Sequence, residues 1–76
     1  MNTTKNVRIW MWLHENSVLK AVYNQKDNTL TVYNEQDQIL LRRTGITAEI
    51  IVKIEVSFSA IGAKRVDGHK EPFTYL

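Results

Sequence analysis

Hydrophobic and polar positions alternate through the first half of the chain and then change period. In residues 7–13, Val7, Ile9, Met11 and Leu13 alternate with Arg8, Trp10 and Trp12. That is the period of two expected of a strand with two unlike faces. Residues 18–24, VLKAVYN, have strand composition but an ambiguous alternation, because either Val18 and Val22 or Leu19, Ala21 and Tyr23 can form the inner set. Residues 29–34, TLTVYN, set Leu30 and Val32 against Thr29, Thr31 and Tyr33, all good strand formers. Residues 38–43 set Ile39 and Leu41 against Leu40 and Arg42. Short polar stretches at 14–17, 25–28 and 35–37 separate these runs and imply antiparallel neighbours, since a parallel pair needs a crossover of about a dozen residues.

The period changes at Gly45. In GITAEIIVKIEVSFSAIG, Thr47 is placed as an N-cap, Glu49 falls in the first turn where the helix dipole favours a negative charge, and Gly62 is a natural stop. Ile50, Ile51, Ile54, Phe58 and Ile61 then share one face of a 3.6-residue helix. A strand competes for the same residues, because Ile50, Val52, Ile54, Val56, Phe58 and Ala60 also alternate and five of the seven residues 50–56 are β-branched. The helix accounts for more of the segment: a strand puts Ile51 and Ile61 on its polar face and uses neither the Thr47 nor the Gly62 signal. The predicted fold is α+β, a four-stranded antiparallel meander covered on one face by a single helix from about Thr47 to Ile61. Residues 1–6 are polar and expected to fray. Residues 63–76 form a basic tail with a turn at Asp67-Gly68, and Pro72 restricts the last few residues to an edge position at most. Phe73, Tyr75 and Leu76 are apolar enough to dock part of that tail.

Length narrows the picture further. Seventy-six residues make one domain, and a chain near this size buries only roughly 60% of the surface its unfolded form exposes. With no cysteine, neither disulfides nor a thiolate metal cluster can staple it, so packing or association with a second copy must supply stability. Residues 1–16 lack the pattern of a secretory signal, and no apolar run approaches membrane-spanning length. The expectation is a soluble cytoplasmic protein without a membrane partner.

Charge adds little by its sum and more by its distribution. Ten Lys and Arg against eight Asp and Glu give +2, too small by itself to imply a nucleic-acid partner. Lys64, Arg65, His69 and Lys70 nevertheless face only Asp67 and Glu71, and Arg42 and Arg43 form a second basic pair.

Candidate chemistry centres on the sheet. If the helix covers Ile9, Met11, Leu30, Val32, Ile39 and Leu41, then Trp10, Trp12 and Tyr33 lie on the opposite face with Arg8 and Arg42. Either that assignment of faces is inverted, or such aromatics serve internal packing under the tail against Phe73 and Tyr75, self-association, or stacking of single-stranded bases with arginines at the phosphates. Lys64, Arg65, His69 and Lys70 beyond Gly62 form a candidate anion site, although no Gly-rich phosphate loop is present. Asp67, His69 and Glu71 alternate as three metal ligands would on an extended chain, but the Asp67-Gly68 turn bends them apart. His14 and Glu15 read as a solvated turn, and no nucleophile motif surrounds Ser17, Ser57 or Ser59. These residues point to a non-catalytic binding or assembly module without metal or cofactor, a homodimer or a binder of a protein partner. Single-stranded nucleic acid is the alternative ligand.

Overall fold

The computed structural model describes residues 7–66. Five strands and one helix succeed one another in the order β1 (Val7–His14), β2 (Ser17–Asn24), β3 (Thr29–Tyr33), β4 (Ile39–Arg43), α1 (Ala48–Ala60) and β5 (Lys64–Arg65). They form a single antiparallel sheet ordered β4-β3-β2-β1-β5, with α1 on one face. The expected α+β architecture and four-strand meander are present. The fifth strand lies in the segment expected to be basic tail: Lys64 and Arg65 pair with Met11 and Trp10 at the outer edge of β1. The expected fraying of residues 1–6 and docking of Phe73, Tyr75 and Leu76 concern positions outside the described residues.

Local chemistry explains the elements. The β1–β2 turn consists of Glu15 and Asn16, both at positive φ, the arrangement whose twist suits two adjoining strands. Asn24 and Asn34 organise the next two turns, their side-chain oxygens accepting from the backbone N–H groups of Lys26 and of Gln36 and Gln38. Residues 50–56 are helical despite their β-branched content because both ends are closed. The Thr47 hydroxyl oxygen accepts from the Ile50 N–H at 3.4 Å. At the other end Gly62, at φ +84°, donates to Ser59 O while Ala63 donates to Phe58 O, so two carbonyls that the helix leaves over are satisfied.

The sheet presents to α1 the face opposite to the one expected for β1. Trp10, Ala21, Val32 and Leu41 form one cross-strand row, and Arg8, Tyr23, Leu30 and Arg43 the next. Trp10, Ala21, Tyr23, Leu30, Ile46 and Ile51 are the buried core, with Trp12, Val32, Ile54, Phe58 and Ala63 packed around them. Ile9 and Met11 lie on the far face. The physical reason is volume: Ala21, fully buried, stands opposite Trp10 and leaves room for the indole beneath the helix. The helix is also rotated from expectation. Ile51, Ile54 and Phe58 pack inward as predicted, but Ile50 and Ile61 are exposed, because Glu55 occupies the inward side to meet two arginines.

Strand β4 departs from simple alternation. Leu41 stands opposite Val32 but Ile39 stands opposite Tyr33, so β4 carries one extra residue, a bulge at Leu40. Ile39 and Leu41, expected on one face, therefore lie on opposite faces of the sheet.

Candidate interaction surface

The residues singled out for binding fall into two separate groups. Arg8, Trp10, Trp12 and Arg65 line the covered side. Trp10 is only 4% exposed, its ring centroid 4.9 Å from that of Phe58, and Trp12 stands 5.2 Å from the same ring. Arg8 Nη1 donates to Glu55 Oε2 at 3.2 Å, and Arg65 Nη1 lies 3.7 Å from the same oxygen. The Arg65 guanidinium also sits 5.6 Å from the Trp10 ring centre. The expected open tryptophan face is thus corrected: Trp10 is core, and the two arginines tie α1 to β1 and β5.

Tyr33 and Arg42 make the second group, on the far face, as the alternation of β3 implied. Lys20 Nζ lies 5.3 Å from the Tyr33 ring centre. With Thr29, Thr31 and Asp27, Tyr33 and Arg42 line a shallow recess of about 160 Å³. That is smaller than the ~300 Å³ at which ligand pockets usually begin, and its mixture of one carboxylate, one guanidinium and hydroxyls selects neither cation nor anion. Lys64 stands opposite Met11 on this far side, away from Arg65. His69 and Lys70 lie outside the described residues, as do Asp67 and Glu71, so the candidate anion and metal groupings have no described geometry. His14 and Glu15 are solvated side chains 3.8 Å apart. Among the described residues no three His, Asp or Glu side chains are grouped to hold a metal ion. Nor is any described helix long and apolar enough to cross a membrane.

A different surface emerges from the exposed apolar side chains. Ile39, Leu40 and Leu41 of β4 are all exposed, Ile39 and Leu40 at 54% each. β4 has β3 on one side and no second strand among the described residues on the other. Its open edge runs five residues, roughly 17 Å at strand rise, and it is apolar on both faces of the sheet. The strand begins after Glu35 and Asp37 and ends in Arg42 and Arg43, so its two ends carry opposite charge. Glu35 accepts from the Val18 N–H at 2.9 Å, and Asp37, its side chain 79% exposed, stands 3.6 Å from Lys20 Nζ. The helix exposes a second apolar stripe, Val52 and Val56, which lacks an open backbone edge. The apolar character of β4 is visible in the sequence. Its position at the edge of the sheet is not, because that depends on which strand the chain leaves unpaired.

Comparison with protein-family models, with curated proteins and with solved structures gives no match.

Proposed function

We propose that this chain is a small non-catalytic assembly module that acts by associating with protein through an exposed apolar surface. The observation that carries the reading is β4, where three consecutive large apolar residues stand exposed on a strand with an open edge. Exposed edges of this kind are templates for strand addition, and soluble proteins usually blunt or cover them. The reading keeps the association expected from the sequence but moves it from the tryptophans to the opposite end of the sheet. Stacking of single-stranded nucleic acid has less to support it, because Trp10 lies under the helix and Trp12 is half-covered by Phe58.

The test is sedimentation velocity from low micromolar to submillimolar concentration, paired with titration of a mixed-sequence single-stranded oligonucleotide at low and moderate salt. A mass that rises with concentration and no response to the oligonucleotide is the expected result. A monomer at every concentration that binds the oligonucleotide with steep salt dependence would overturn the reading in favour of nucleic acid.

A further inference from the structure

We infer that the partner of β4 is β4 of a second copy: two chains pair edge to edge, antiparallel, about a two-fold axis near Leu40, and continue one sheet into the other. This rests on the association reading above and specifies its partner and geometry.

Three features carry it. The first is the open edge itself, with no strand beyond β4 among the described residues. Unpaired backbone N–H and C=O groups in a row form hydrogen bonds with any strand of matching length, and a second β4 matches by construction. The second is that Ile39 and Leu41 lie on opposite faces of the sheet. A partner laid on one face would cover only one of them, whereas a strand added at the edge approaches both, together with Leu40 between them.

The third feature is charge. Glu35 and Asp37 precede the strand and Arg42 and Arg43 end it. Antiparallel pairing brings the basic end of each copy beside the turn of the other that carries Asp37, which is 79% exposed though 3.6 Å from its own Lys20, while Glu35 is held by the Val18 N–H. Parallel pairing would set like charge against like. Two devices that commonly blunt edges, a bulge and basic side chains, are both present on β4, yet neither opposes this geometry. The arginines sit at one end, where the second copy presents the exposed carboxylate of Asp37. The bulge at Leu40 lies near the axis in both chains and restricts the registers in which they can meet.

The chain has no cysteine, so a single introduced thiol reports the contact without interference. Under oxidation Leu40→Cys, placed near the two-fold axis, should form a disulfide-linked dimer in high yield, and Val56→Cys on the exposed side of α1 should not. In sedimentation, Leu40→Lys should give a monomer over the range in which the parent chain and Val56→Lys are dimers, with the circular dichroism of the folded chain retained. Amide exchange of β4 should slow as concentration rises.

Each contrary outcome falls in a distinct place. A dimer that survives Leu40→Lys but is lost in Val56→Lys leaves association standing and refutes pairing through β4. A parent chain that stays monomeric, its β4 amides protected at every dilution, would mean that residues of the same chain cover the edge; the inference and self-association then fail together. Steep binding of the oligonucleotide by a monomer would assign the surface to nucleic acid.

Discussion

Beneath the helix, β1 and β2 meet α1 through Trp10, Ala21, Tyr23 and Ile51, all buried, while β4 at the far end of the same sheet has no buried residue at all. Both regions are apolar in sequence, and both are strands of the same meander. What separates them is reach. A helix of 13 residues covers about 20 Å in length but only one helix diameter in width, roughly 10 Å, or about two strands at their usual spacing. Glu55, held by Arg8 and Arg65, fixes that width over the β1–β5 side. β4, beyond that reach, is left exposed along its whole length. An apolar pattern in a small sheet therefore marks two kinds of position, those that stabilise the monomer and those left exposed, which the proposed pairing would cover.

Substitutions should separate the two kinds by the size of their effect. Trp10→Ala removes the largest buried ring and leaves a cavity against Phe58, so a loss of about 3–5 kcal/mol is expected, enough to unfold much of a domain this small; thermal or denaturant unfolding monitored by circular dichroism reads it. Tyr23→Phe removes the hydroxyl that donates to the buried Ile46 carbonyl at 2.8 Å, with an expected cost of about 1–2 kcal/mol in a urea titration. Thr47→Ala should cost about 1 kcal/mol in the same titration and increase fraying at residues 48–50, visible in amide exchange. Glu55→Gln weakens two ion pairs whose members are between about a third and a half exposed, and below about 1 kcal/mol is expected, diminishing further in high salt. Smallest of all on the monomer is Leu40→Lys, within about 0.5 kcal/mol when unfolding is monitored at concentrations too low for association. If Leu40→Lys destabilised the dilute monomer as much as Tyr23→Phe does, β4 would belong with the core and the contrast would collapse.

The strand runs, the turns and the closed ends of the helix are legible because each is written in neighbouring residues: Asn34 and its turn, Thr47 three positions before Ile50, Gly62 just past the last turn. The side of β1 that packs is not. Val7, Ile9, Met11 and Leu13 are apolar, and so are Trp10 and Trp12 between them, so alternation alone marks two faces without ranking them. The deciding contact is Trp10 against Ala21, a pairing of large with small that requires the β1–β2 register. That register places Trp10 in one row with Val32, which the alternation of β3 puts on the inner face, and so identifies the packed side of β1. The bulge at Leu40 and the pairing of β5 depend on contacts distant in sequence, and Lys64-Arg65 is too short a run to announce itself as a strand. Of the candidate site, the chain reveals the residue types but not their separation: Arg8 and Arg65 converge on Glu55, whereas Tyr33 and Arg42 stand on the reverse side of the sheet.

The sheet does not end alike at its two borders. Among the described residues, the border opposite β4 is formed by β5, only two residues long and basic at both, beside Trp10 and Met11 of β1. A border so brief offers few hydrogen bonds to an incoming strand, and its charges repel a second border of the same kind. Strand addition of the proposed kind therefore meets a longer apolar strand at β4 than at β5. In the proposed pair the two β4 edges would be joined to each other, and the outer borders would be those where β5 pairs Trp10 and Met11 of β1. The apolar edge that could otherwise seed fibres would be used up at the two-fold axis of that pair, and the assembly would close there.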